Sequence, residues 1–193
     1  APHGHMHIRF TNVRIPSKNI VLGEGRGFEV AQGRLGPGRI HHCMRSIGQA
    51  ELALELMCDR ARERKTFGEH LSDRANIADW VARSRIEIEQ ARLLVLKAAW
   101  MIDNFGAKEA RKEIAMIKAL VPSMQCQVTD RAMQVFGAMG MSPDTPLGDL
   151  YTWGRALRYA DGPAAWTPLP EDSGVTDDGG DSGVFFERGV PAS

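Results

Sequence analysis

Charge of one sign is not in surplus in this chain: 24 lysines and arginines offset 24 aspartates and glutamates. With a formal net charge of zero, no global field argues for nucleic acid or an anionic membrane as partner. No apolar run reaches the roughly 18 residues that a membrane-spanning helix needs. Cysteine is sparse too. Cys43, Cys58 and Cys126 form no C-x-x-C pair and fall in helix-like stretches, so they read as small buried hydrophobes in a reducing compartment. Glu-x-x-His pairs are missing, which sets aside a carboxylate-bridged metal bundle. The opening residues carry no signal or transit pattern. Because they look like the inside of a strand, we expect the native chain to begin earlier.

What the 193 residues do have is enough length for one domain with a real core, and strong helical periodicity. Within residues 109–141, Ile114, Ile117, Leu120, Val121, Met124, Val128, Ala132 and Phe136 recur at three- and four-residue steps. They lay one apolar stripe along a long helix. Pro122 removes an amide donor and is expected to bend or break that helix near Ala119. The stripe ends in Gln134-Val135-Phe136-Gly137-Ala138-Met139-Gly140, a glycine-punctuated turn with one polar side chain. Such a turn suits a flat ligand, and it equally suits a plain C-cap where glycine tolerates positive φ.

Upstream, Met6, Ile8 and Phe10 alternate with His7 and Arg9, a period-two pattern that predicts a strand. Val13, Ile15 and Pro16 make a second short extended piece. His3, His5 and His7 have no acidic or cysteine partner nearby and read as a polar face rather than a metal site. Gly23-Glu24-Gly25-Arg26-Gly27 lacks the third glycine at the spacing of a dinucleotide fingerprint, so it is read as a connection.

Ile40, Met44, Ile47, Ala50, Leu54, Met57 and Ala61 predict a helix over 38–64. Ser72 is placed as the cap of a second long helix, carried by Ile77, Val81, Ile88, Leu93, Leu96 and Ile102 to Phe105-Gly106. A shorter helix is expected over 146–158, with Pro146 at an early position. Helices of this length need partners, and short connections make neighbours antiparallel, so the expected fold is an all-α, up-down helical bundle. After Pro163 the composition turns to Pro, Gly, Asp and Ser, and we expect residues 164–193 to be disordered.

Three stretches stand in a telling order: Arg64-Lys65-Thr66-Phe67-Gly68, then Gln134-Val135-Phe136-Gly137-Ala138-Met139-Gly140, then Asp161-Gly162. Together they resemble the C-terminal helical domain of acyl-CoA dehydrogenases. Residues 31–45, reading AQGRLGPGRIHHCMR, are similar to the branch of acyl-CoA dehydrogenase family members 10 and 11. The resemblance covers roughly residues 5–163. It implies residues 1–33 as the end of a middle β-domain with its linker, a short β remnant, then the bundle over 34–163 and a divergent tail. It further implies FAD as cofactor, a fatty acyl-CoA as substrate (long-chain or 4-hydroxylated in this branch), and electron-transferring flavoprotein as acceptor. A homo-oligomer in mitochondria or peroxisomes is implied as well.

Site residues follow position by position. Proton removal beside a thioester needs a base, and hydride from the β-carbon needs an acceptor that no side chain provides. The family's base is a carboxylate, either on the turn before a glycine, where Asp161-Gly162 stands, or as Glu in the first long helix, where Gly38 stands. Gly38 cannot serve, so Asp161 is the candidate base, one methylene shorter than the commoner Glu; without the resemblance it would read as an Asp-Gly turn. Arg64, Lys65, Thr66 and Phe67 are implied contacts to FAD, with Arg64 on the pyrophosphate, where its planar fork pairs two oxygens. Gln134, Val135, Phe136, Gly137 and Ala138 are implied at the adenine end, both segments reaching a neighbouring subunit's cofactor. Arg39 and Gly162 are implied beside the acyl-CoA. His41 and His42 are left to packing. A different reading, a non-catalytic oligomerisation module, stays open at this point.

Overall fold

A computed structural model of the chain describes residues 6–162. The expected disorder of 164–193, and the histidines His3 and His5, lie outside the described residues. Four helices dominate: α1 (Gly27–Glu63), α2 (Ala75–Phe105), α3 (Arg111–Phe136) and α4 (Leu147–Leu157). No helix among the described residues is long and apolar enough to cross a membrane.

Contacts made by side chains across the bundle give the direction of each helix. Cys43 meets Ile117, Gln49 meets Gln125, and Arg60 lies over Phe136, so α1 and α3 run the same way. Arg131 pairs with Glu87 while Lys97 pairs with Glu113, so α2 runs against α3. Gln125 reaches Leu150 and Lys118 reaches Leu157, so α4 also runs against α3. This is the up-down bundle that the stripes predict. Its core joins Cys43, Ile47, Ala50, Leu54 and Met57 of α1 to Ile88, Ala91 and Val95 of α2 and Ile117, Val121 and Val128 of α3.

Helix α3 is the central element and runs unbroken through Pro122, contrary to the expected break near Ala119. Pro122 is itself fully buried, and α3 packs against α1, α2 and α4. Burial along nearly the whole helix outweighs the roughly 3 kcal/mol that an interior proline costs. Helix α1 likewise starts earlier than its stripe predicts, at Gly27, so the division drawn after residue 33 falls inside a helix. Arg26 pairs with Glu29 at 2.7 Å across that first turn, and an acidic residue there suits the helix dipole.

The β element sits elsewhere than the alternation at Met6–Phe10 suggested. Residues 6–16 form no strand and their apolar side chains are exposed. A strand needs a neighbour to take its backbone hydrogen bonds, and none of the described residues offers one there. The only ladder among the described residues is a minimal hairpin, β1 (Lys65–Thr66) against β2 (Glu69–His70), in register Lys65↔His70. Its turn places Phe67 at φ 55° and Gly68 at φ 86°, a two-residue loop with positive φ at both positions. Ser72 does not cap α2. It lies in a short 3₁₀ turn, where the Asp73 carboxylate accepts from the His70 backbone N–H at 3.2 Å, and α2 begins after Arg74.

Candidate active site

Arg39 and His42 of α1, Lys118 near the start of α3 and Asp161 just after α4 converge on one place. Asp161 follows α4 in a turn held in the left-handed region, φ 56°, with Gly162 at φ 98°. Aspartate tolerates that conformation better than most residues. Two cations hold the turn in place. Arg39 Nε donates to the Asp161 carbonyl at 3.0 Å, and Lys118 Nζ donates to the carbonyls of Leu157 and Ala160. Arg39 also borders Gly162, whose missing Cβ would lie 3.4 Å from its guanidinium.

Lys118 is buried to 1% exposure, the largest fully buried side chain among the described residues. Loss of hydration lowers its pKa, opposed in part by the Asp161 carboxylate. The same burial pushes the Cys43 thiol up to about 12, so it remains protonated, a weak donor to the Ile117 carbonyl at 3.5 Å. That outcome suits the reading of Cys43 as a small hydrophobe.

The Asp161 side chain meets His42, which packing alone was expected to explain. His42 Nε2 lies 3.0 Å from Asp161 Oδ2, and both side chains are three-quarters or more buried. On its other side, His42 Nδ1 lies 2.6 Å from an Arg45 guanidinium nitrogen. Guanidinium only donates. Nδ1 must therefore accept, which leaves the hydrogen on Nε2, the ring nitrogen nearest the carboxylate. Desolvation, aided by Arg45, Lys118 and His41, lowers the His42 pKa despite the opposing pull of Asp161. The spacing Gly38, His42 on one helix face was a signal available in the sequence.

A Cβ built on Gly38 would lie 3.1 Å from Asp161 Oδ2 and 2.8 Å from the Arg34 guanidinium. The two positions considered for a base therefore open on one small space. The residues expected on a flavin cluster at the other end of the bundle. At about 1.5 Å per residue along α1, roughly 36 Å separates Arg39 from Glu63. There Arg64 caps α1, exposed, with no ion pair among the described residues. Lys65 is exposed in β1, and Phe67 is 98% exposed at the hairpin tip. Thr66 is clamped by Arg74, which donates to its carbonyl at 3.2 Å and its hydroxyl at 3.0 Å. Arg74 also sits over the Phe67 ring, a supporting role the sequence did not disclose.

The second segment, at the end of α3, lies at this same end. Gln134, Gly137 and Ala138 are exposed, whereas Val135 is buried and belongs to the core. Phe136 is partly buried beneath Arg60, 5.5 Å from ring centre to guanidinium carbon. Helix α3 ends at Gly137 with φ 67°, and a 3₁₀ turn (Gly137–Met141) follows. Gly140 packs so closely that a Cβ would meet the Met133 carbonyl oxygen at 2.7 Å. The exposed faces form a polar and aromatic rim with an unpaired arginine, which suits a dinucleotide's phosphates and rings. Val135 is better assigned to packing.

Residues 25–166 match the family described as acyl-CoA dehydrogenase, C-terminal domain. The rat protein named acyl-CoA dehydrogenase family member 11 is 57% identical over 160 residues, covering 83% of this chain and 20% of its own length. The mouse protein named acyl-CoA dehydrogenase family member 10 is 60% identical over 162 residues, covering 84% of this chain and 15% of its own. Among solved structures, butyryl-CoA dehydrogenase from Megasphaera elsdenii superposes with a TM-score of 0.75 at 29% identity, over 82% of this chain and 41% of that one. The chain thus spans a fifth or less of the length of these two relatives.

Proposed function

The chain belongs to the acyl-CoA dehydrogenase family, and from that premise we propose that it forms the C-terminal part of an FAD-dependent enzyme that desaturates fatty acyl-CoA between its α- and β-carbons. Residues 1–33 would end the preceding domain and lead into the bundle over 34–163, the last turns of that lead already being helical. Asp161 is the base, taking the proton from the α-carbon. When bound, FAD supplies the acceptor for the hydride leaving the β-carbon, so the substrate gains a double bond and loses two electrons. Those electrons pass on to electron-transferring flavoprotein. Long or 4-hydroxylated acyl chains fit the branch, and mitochondria or peroxisomes its setting.

The observation that carries this reading is the separation of the two clusters. Asp161, Arg39 and Gly162 gather at one end, where an acyl thioester would meet a positioned carboxylate. Arg64, Lys65, Thr66, Phe67, Gln134, Gly137 and Ala138 crown the other end. At roughly 36 Å apart, they serve two different cofactors, which calls for at least two copies of the protein. Arg64 would pair with pyrophosphate as a fork, and Phe67 would lend the ring face away from Arg74 to a stacking partner.

The test is a chimera in which residues 25–162 replace the matching segment of the rat relative. We expect visible flavin absorbance that bleaches on adding a fatty acyl-CoA. Asp161→Asn keeps the shape but cannot accept the proton, and should slow bleaching about a hundredfold to ten-thousandfold with FAD content unchanged. Bleaching at the parental rate would place the base elsewhere. A chimera that never takes up FAD would favour a non-catalytic interaction module.

A further inference from the structure

His42 has no part in the chemistry proposed so far, yet it touches the one side chain assigned to it. Its imidazole is faced from α1 by Arg45 and His41, from α3 by Lys118, and from the turn after α4 by Asp161. Of these, two make close contacts: Arg45 at Nδ1, 2.6 Å, and Asp161 Oδ2 at Nε2, 3.0 Å. The contacts are on opposite ring nitrogens, so the arginine dictates the tautomer and the tautomer dictates what Asp161 feels. Asp161 Oδ2 is the oxygen that lies against His42 Nε2, and Oδ1 has no hydrogen bond among the described residues.

We propose that His42 is a positioning residue for Asp161: held by Arg45 as the Nε2–H tautomer, it donates to Oδ2 and keeps Oδ1 open to a substrate proton. The proposal rests on the reading of Asp161 as base. A carboxylate at the tip of a short side chain has two soft torsions, and aspartate lacks the reach of glutamate. Fixing one oxygen removes one of those freedoms at the point where a misplacement of about 1 Å can cost a hundredfold in rate. Arg39 and Lys118 fix the backbone of the same turn, so main chain and side chain are held by separate donors. A neutral imidazole suits this role better than an imidazolium, which would pair tightly with the carboxylate and weaken it as a base.

The first test uses the 193-residue chain with 15N-labelled histidine. Nitrogen–proton correlation spectra at pH 7.5 should show His42 with its hydrogen on Nε2 and an accepting Nδ1. Asp161→Asn and Arg45→Gln should each move the His42 nitrogen shifts. A hydrogen on Nδ1, or shifts indifferent to Asp161→Asn, would overturn the proposal. The second test uses the chimera described above. His42→Ala should slow flavin bleaching about tenfold to a hundredfold with acyl-CoA affinity held within about twofold. His42→Gln, whose amide nitrogen can stand where Nε2 stood, should recover most of that rate. If Asp161→Asn is slow and His42→Ala is not, this proposal falls while the base assignment stands. If Asp161→Asn bleaches at the parental rate, the base assignment falls and takes the role of His42 with it.

Discussion

Gly38 and Asp161, 123 positions apart in the chain, face one small space: a Cβ on the glycine would lie 3.1 Å from the aspartate's Oδ2. A carboxylate can be brought there from the turn after α4 or from helix α1. Asp161→Gly should therefore abolish acyl-CoA-dependent flavin bleaching in the chimera, and adding Gly38→Glu should restore part of it. Glycine at 161 suits the φ of 56°. Only the Arg34 side chain, the flexible arm of an exposed residue, must move. No recovery in the double variant would mean that the shared space is not where the proton is taken.

Acidification should loosen the fold through His42. Burial and the neighbouring cations lower its pKa below the ordinary 6.5 in the folded chain. Between that lowered value and the unfolded value, the unfolded chain binds more protons, so stability rises with pH. The contribution is complete above about pH 6.5 and is lost as pH falls through the folded pKa. Urea midpoints measured from pH 7.5 down to 5 should fall, and His42→Gln should flatten part of that slope. An unchanged slope in the variant would assign the acid sensitivity to other groups.

Lys118→Met should separate local from global stability. Burying the ammonium is costly, so removing the charge offsets part of what the lost hydrogen bonds cost the fold as a whole. The melting temperature should therefore change little. The carbonyls of Leu157 and Ala160 lose a charged donor, a bond of about 1.5–3 kcal/mol, so amide exchange across 158–162 should quicken by at least about tenfold. Exchange that stays slow would show that Arg39 alone holds the turn.

Gly154→Ala tests the seam between α3 and α4. Alanine gains about 1 kcal/mol over glycine in helix propensity. Its Cβ, however, would meet Gln125 Cδ at 2.9 Å and Cys126 Sγ at 3.2 Å. Gln125 is wholly buried and bonded to Gln49 and to the Leu150 carbonyl, so it cannot swing away cheaply. Overpacking costs about 1–3 kcal/mol and should prevail, lowering the melting temperature by several degrees. A rise would mean that α4 shifts freely.

Self-association follows from cofactor segments placed far from the candidate base. Leu93, Leu96 and Trp100 are more than half exposed on α2, which leaves an apolar face uncovered. Sedimentation equilibrium at micromolar concentration should show dimers or larger species, and a clean monomer would contradict the two-copy arrangement.

The helices themselves were legible in the residues. Apolar spacing places α2, α3 and α4 close to their observed bounds, because a long amphipathic helix must bury its stripe and little else satisfies that period. Motif order singled out Asp161, Arg64 and Gln134, but not that the first would stand at one end of the bundle and the other two at the opposite end. A break at Pro122 and a strand at residues 6–16 were expected on local preference, and neither forms. Burial of α3 on most sides overrides the proline, and a strand without a neighbour does not form, and neither fact is local. The meeting of His42 with Asp161, the clamp of Arg74 on Thr66, and the shared space of Gly38 and Asp161 were decided by tertiary structure alone. Each joins elements whose distance depends on how helices cross and where turns end. Periodicity says which face of a helix is buried, but not which residue of another element it will meet.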